Sequence, residues 1–393
     1  MNAFEFFSVG RIVFGCGQIG RIGELAAGLG RAALVVTNAG ESEQGATSRR
    51  LAELMQASGV RTVFLWQAGE PAAADVDRAL QRARGEKCDM VVGLGGGSAI
   101  DAAKAVAGLM TNGGSAIDYM EVVGGGRKIT RPAAPWIAVP TTAGTGAEVT
   151  RNAVIAAPEK HYKASIRSEH LLARAVVVDP ELGVGVPPEV TARTGMDALC
   201  QLIESYTSTG AGPITDALAM EGLARATRSL RRAFADGRDL AAREDMALAA
   251  LLSGIALTNA GLGAVHGLAA PLGARVPVPH GAACAALLPH VMSANVQALR
   301  SRANGQAALA RYAAIGRVLT ARADLDDEHA VDEGIQFAGN LARVLGIPPL
   351  GRFGLTHREI PGIVSQALRS SSIKYNPVPL PARVLEEILG CVL

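Results

Sequence analysis

The chain has 393 residues, 49% of them hydrophobic, with 46 glycines and a formal net charge of +2. That apolar content supports a large buried core and excludes a disordered chain, and Lys and Arg spread without a basic run or basic–aromatic interleaving exclude a nucleic-acid partner. The glycines follow no fixed period, which excludes a collagen-like chain, so their excess over an average of about 7% must serve turns, caps and close backbone approaches.

The N-terminal stretch carries Glu5 and has no basic region ahead of an apolar one, so no signal peptide is expected. The five cysteines are odd in number and include no CxxC pair. They predict no disulfide framework and a reducing cytoplasm.

Arg11–Phe14 reads as a short strand running into Gly15-Cys16-Gly17-Gln18-Ile19-Gly20, a GxGxxG match. A dinucleotide fingerprint also needs an acidic residue about 20 positions on. The next strand ends at Asn38, which is not acidic, with Glu41 just beyond. The segment therefore reads first as a strand-to-helix turn and second as a phosphate site.

Apolar, β-branched runs follow at Ala33–Thr37, Arg61–Trp66, Asp89–Leu94, Pro135–Pro140 and Ala175–Pro180, with helical patterns between them. This alternation predicts a parallel sheet covered on both faces, with right-handed crossovers.

A stronger glycine motif follows the third of these runs: Gly95-Gly96-Gly97-Ser98, then Ala99-Ile100-Asp101. Glycines let the backbone approach an anion, and the helix behind them directs N–H groups and its positive end at it. Ser98 can both cap the helix and donate to a phosphate. The spacing is not that of a P-loop. Pro140-Thr141-Thr142-Ala143-Gly144-Thr145-Gly146 sets hydroxyls among glycines, suited to ribose and nicotinamide edges.

Beyond Pro187-Pro188 the pattern turns helical to the end. A boundary near residue 185 is expected, with an α/β dinucleotide-binding domain over 1–185 and an all-helical metal and substrate domain over 186–393. Met246–Ala274 has no charged residue, yet its Ser, Thr, Asn, His and Gly read as a buried helix running into a buried loop, not a membrane span. Asp197 and Gln201, four apart, share a helix face. His266 and His280, fourteen residues apart, lie beside glycines. Together these four could converge on one divalent ion, Zn²⁺ or Fe²⁺, while the other five histidines form no ligand-spaced cluster.

Four segments, GGGSAIDAAK, PTTAGTGAEVT, GMDALCQLIESY and GLGAVHGLAAPLG with VPHGAACAALLPHVM, together resemble the iron-containing (group III) alcohol dehydrogenase family. They occur in the family's order and span most of the chain from about Phe14. The resemblance implies a dehydroquinate synthase-like fold, an α/β nucleotide-binding domain followed by a helical one, an active site in the cleft between them, and a homodimer. It implies NAD or NADP as cofactor, held by Asn38, Gly96, Gly97, Ser98, Asp101, Thr141, Thr142, Thr145 and Lys163. Asp197, His266 and His280 would be catalytic metal ligands, with Gln201 at the position of the family's further His ligand. A second family histidine, near the substrate, is Ala270 here, and the strand-end Asp that favours NAD is Asn38.

The activity this implies is metal-assisted hydride transfer between a small alcohol and its aldehyde or ketone, in the cytoplasm, with no membrane partner. Two alternatives stay open at this level. One is a metal-independent oxo-acid reductase of the maleylacetate reductase type, with Arg151 and Arg275 as carboxylate partners. The other is a non-catalytic nucleotide-binding paralogue.

Overall fold

The computed structural model describes residues 3–38 and 43–393; Glu41 lies outside them. It divides into two compact units, Phe7–Val184 and Gly185–Leu393, the latter with the segment up to Phe6.

The first unit holds eight strands: β1 (Ile12–Phe14), β2 (Ala32–Thr37), β3 (Arg61–Trp66), β4 (Met90–Gly95), β5 (Trp136–Pro140), β6 (Asn152–Ala157), β7 (Tyr162–Arg167) and β8 (Ala175–Val178). Six form one parallel sheet in the order β1-β8-β5-β4-β2-β3. Its central strands β2, β4 and β5 are buried along their whole length, which is why they read as unbroken apolar runs rather than alternations. The helix Gly97–Asn112, rich in alanine, lies close on the sheet. A Cβ on Gly93 of β4 would stand 2.9 Å from the Ala103 Cβ, so glycine there permits the close approach.

The chain leaves β2 for β3 on one side and returns to β4 on the other. The connections diverge between the carboxyl ends of β2 and β4, the position where open α/β sheets bind ligands. Asn38 and Gly95–Gly97 stand at those two ends.

The GxGxxG segment lies instead beside edge strand β1. Its backbone is held from within: the Gly17 and Ile19 amides donate to the Asp179 carboxylate at 3.1 and 2.9 Å, and Glu181 N–H adds a third bond at 3.1 Å. The amides a phosphate would need are thus committed to a buried side chain, and the segment is a turn. Asp179→Ala orphans these donors, and each costs on the order of 1–3 kcal/mol. Urea denaturation should show a loss of several kcal/mol, with dinucleotide affinity of the folded fraction unchanged.

β6 and β7 form a separate antiparallel hairpin, registered from Asn152 opposite Arg167 to Ala157 opposite Tyr162. The sequence reading placed no strands there. The runs are short and carry polar residues, and the tight connection depends on His161 in the left-handed region at φ 47°.

The second unit is helical from Pro188–Thr207 to Ala382–Gly390. The expectation of a helix running into a loop over Met246–Ala274 is corrected: Leu240–Ala260 breaks at Gly261 and a second helix, Ala264–Arg275, leaves it at 101°. Gly261 takes φ +77°, and a Cβ there would meet the Tyr375 ring at 2.6 Å, so glycine forces the corner. This bent pair and the helix His280–Arg300 are long and apolar enough to cross a membrane by length and composition alone. Most of their residues are buried, as in core helices.

Candidate active site

At the switch point, Gly95 takes φ +149°, and Asn38 Oδ1 accepts from the Gly96 amide at 3.3 Å. The neighbouring loop is pressed against this turn. Thr141 N–H donates to Gly95 O at 3.0 Å. A Cβ on Gly97 would stand 2.7 Å from Thr145 Cγ2, and one on Gly96 would stand 3.3 Å from Thr142 Oγ1. Asn38, Gly96, Gly97, Ser98, Thr141, Thr142 and Thr145 therefore gather around the start of Gly97–Asn112, whose first amides point out along the helix axis.

Asp101 and Lys163 are otherwise engaged. Asp101 Oδ2 accepts from Val154 N–H at 3.1 Å, tying β6 to the helix, and Lys163 is ion-paired with Glu70. Lys104 is fully buried, and its ammonium donates to Ala147 O, Thr150 Oγ1 and Asn152 O at 2.7, 2.7 and 2.6 Å, bracing the loop that carries Thr145.

Burial pushes the nearby Glu148 carboxyl from its ordinary 4.5 up to about 7, with Lys104 opposing. Between these values the folded chain keeps a proton that the unfolded chain has lost. This group's contribution to stability therefore falls as pH rises from 4.5 to 7, by an amount on the order of 3 kcal/mol. Glu148→Gln removes that dependence, so its stability relative to the native chain should rise from about pH 4.5 to about pH 8. Parallel slopes for the two proteins would contradict this.

The helical unit brings together Asp197, His266 and His280. Asp197 and Gln201 lie on Pro188–Thr207, His266 in the first turn of Ala264–Arg275, and His280 at the start of His280–Arg300. His266 Nε2 is 3.2 Å and His280 Nε2 3.7 Å from Asp197 Oδ1. Asp197 and His266 are buried, whereas the His280 side chain is 37% exposed, which opens one side of the cluster.

Glu204, two turns after Asp197, fixes His266. Its carboxylate accepts from Val265 N–H at 2.7 Å and lies 2.6 Å from His266 Nδ1. The contact of Nδ1 with Glu204 fixes the ring with Nε2 toward Asp197, the arrangement that orients metal-binding histidines. Asn376 secures the turn before His266 by accepting from Ala264 N–H at 3.0 Å. Arg151 stacks on Phe7 at 4.2 Å within its own unit, and Arg275 is exposed at its helix end.

The electrostatics favour a cation. Burial alone would depress the imidazoles, but the neighbouring Cys284 and Asp197 outweigh it, holding His280 up at about 9 and His266 well above its ordinary value. Burial likewise pushes Asp197 up, and the His280 and His266 imidazoles bring it below its usual range. A buried pocket that holds positive charge this firmly, with carboxylate and imidazole donors converging, fits a divalent ion.

Gln201 behaves differently from its expected role as a ligand. Its Nε2 donates to Asp197 Oδ2 at 3.2 Å and its Oε1 accepts from Ser253 Oγ at 2.7 Å. The fourth donor near the cluster is Cys284, whose Sγ lies 3.6 Å from His280 Nε2 and 3.8 Å from His266 Nε2. Asp197, His266, His280 and Cys284 offer ligand atoms all within 4.8 Å of one another. The sequence reading missed Cys284 and Glu204. For both the signal was available: Cys284 follows His280 by four residues and Glu204 follows Asp197 by seven, both helical same-face spacings.

An anion-binding turn at a sheet's switch point, together with a buried carboxylate–imidazole cluster, defines a nucleotide-linked oxidoreductase that uses a metal. The comparisons make this specific. The iron-containing alcohol dehydrogenase family matches residues 10–180, and the C-terminal domain of the Fe-containing alcohol dehydrogenase family matches residues 191–391. The chain is 37% identical to the 1,3-propanediol dehydrogenase of Klebsiella pneumoniae, over 93% of this chain and 92% of that one. It is 34% identical to the choline dehydrogenase of Bacillus subtilis, over 96% and 92% of the two. A crystal structure of 1,3-propanediol oxidoreductase superposes with a TM-score of 0.92 at 33% identity, covering 100% of both chains. The chain belongs to the iron-containing alcohol dehydrogenase family and is an NAD(P)-dependent oxidoreductase of alcohols and aldehydes.

Proposed function

We propose that this enzyme interconverts a small alcohol and its aldehyde or ketone, using a divalent ion held by Asp197, His266 and His280. The convergence of those three donors, two of them buried and His280 partly open, carries the reading. The balance is alcohol plus NAD(P)⁺ giving carbonyl compound, NAD(P)H and one proton. A bound divalent ion supplies a Lewis acid for the alcohol or carbonyl oxygen, and the nicotinamide supplies the hydride acceptor.

The chain's own residues do the positioning. Glu204 holds the His266 ring in one orientation. The Gly96–Ser98 turn receives the diphosphate at a helix N-terminus, and Thr141, Thr142 and Thr145 offer hydroxyls beside it, with Asp101 and Lys163 assigned to the same cofactor region. Asn38 carries no charge to repel a 2′-phosphate, so both NAD and NADP are admitted. Ala270, one turn beyond His266, has no proton to give, so proton transfer uses another group or water.

The names of two relatives, for 1,3-propanediol and choline, support short alcohols with a second polar group as the first substrates to try. Cys88, Cys200, Cys284 and Cys391 form no disulfide, which supports the proposed cytoplasmic location, and the family resemblance supports a homodimer. The test is NAD⁺ and NADP⁺ reduction with a panel of such alcohols, and the reverse reaction with the aldehydes. Turnover with at least one pair is expected; none with either cofactor would overturn the reading.

A further inference from the structure

We propose that Cys284 is a metal ligand in this chain, taking as a thiolate the coordination place that Gln201 does not fill, and that the resulting Asp–His–His–Cys set favours Zn²⁺ over Fe²⁺. The proposal rests on the metal-assisted reading above and deepens it.

Gln201 is already satisfied. One end of its amide bonds Asp197 and the other bonds Ser253, so turning its oxygen inward would give up the Nε2 bond to the Asp197 carboxylate. Cys284 needs no such change. It sits one turn beyond His280 on the same helix, is buried, and presents Sγ to both imidazoles.

Four of the six edges are close to those of a tetrahedron. Bonds of about 2.0–2.1 Å to nitrogen or oxygen and about 2.3 Å to sulfur set N···O edges near 3.3 Å and N···S edges near 3.6 Å. The structure has N···O separations of 3.2 and 3.7 Å and N···S separations of 3.8 and 3.6 Å.

Charge argues the same way. Asp197 and a Cys284 thiolate together balance a divalent ion within the ligand set itself, where a neutral Gln oxygen would leave that set one negative charge short. Only deprotonated donors bind the ion, so loading releases the Cys284 S–H proton and any proton carried on His266 and His280 Nε2 to solvent. Thiolate is a soft donor that selects Zn²⁺ over harder, oxygen-preferring ions, and Zn²⁺ also stands above Fe²⁺ in general affinity order.

X-ray absorption on the full-length protein loaded with Zn²⁺ tests the assignment. One sulfur at about 2.3 Å is expected beside a nitrogen and oxygen shell at about 2.0–2.1 Å. The Co²⁺-loaded protein should show a thiolate-to-metal charge-transfer band in the near ultraviolet. Cys284→Ser should lose both signals and weaken Zn²⁺ binding at least about tenfold, judged against the 10–100-fold cost of lesser changes around metal sites. With Zn²⁺ and Fe²⁺ offered together without oxygen, the native protein should retain Zn²⁺. A bound ion with nitrogen and oxygen neighbours only overturns the assignment of Cys284 and leaves the dehydrogenase reading standing. Failure to bind any ion overturns the assignment and the metal-assisted reading together, and alcohol turnover on the same sample shows whether hydride transfer survives.

Discussion

His266→Ala should lower kcat/KM for alcohol oxidation by about a thousandfold and leave the protein with far less than one bound ion per chain. The ring links the two buried carboxylates of the cluster: Nε2 stands 3.2 Å from Asp197 and Nδ1 stands 2.6 Å from Glu204. Removing it deletes one strong nitrogen donor and leaves both carboxylates without their cationic neighbour. Lewis-acid stabilisation is worth several kcal/mol, and about 4 kcal/mol corresponds to about a thousandfold in rate. The loss should fall on kcat as well as kcat/KM, because the ion acts on the developing charge and not only on ground-state binding. Cofactor affinity should hardly change, since the glycine turn belongs to the other unit. Glu204→Gln is the milder companion: it keeps the ring but weakens its orientation, for an expected 10–100-fold loss of metal affinity. Steady-state kinetics with metal analysis on the same preparations checks both.

Gly97→Val should weaken dinucleotide binding by about a hundredfold or more, or about 2.7 kcal/mol. A Cβ at this position already meets Thr145 at 2.7 Å, and a branched side chain would occupy the space in front of the helix amides. The consequence is specific to the anion, because a diphosphate needs the backbone itself at close range. Metal content should be unchanged. Titration calorimetry with NAD⁺ and NADP⁺ reads the effect; unchanged affinity for both would move the phosphate site elsewhere.

The parallel sheet was legible because its strands are buried on both faces and so appear as continuous apolar runs, such as Ala33–Thr37 and Asp89–Leu94. The hairpin β6–β7 was not, because its short strands mix Asn152, Lys163 and Arg167 with apolar residues and depend on a left-handed His161. Of the two glycine motifs, sequence context favoured the second, and the structural reason against the first lay 160 residues away in Asp179.

The Asp197, His266 and His280 convergence was raised by spacing and glycine context and strengthened by the family resemblance, since each histidine taken singly reads more readily as structural. Gln201 was assigned as a ligand by its position, and nothing in its spacing revealed that Ser253 would hold its oxygen. Cys284 went unread as a ligand for a related reason. A lone cysteine on an apolar helix looks like core until the fold sets it beside two imidazoles.

The most direct test of the account is metal dependence on one preparation. The protein is stripped with a chelator, then assayed for NAD(P)⁺ reduction by a small alcohol before and after one equivalent of Zn²⁺ or Fe²⁺ is restored. The account predicts that turnover disappears with the ion and returns in proportion to it. Undiminished turnover by protein shown to be free of metal would contradict it.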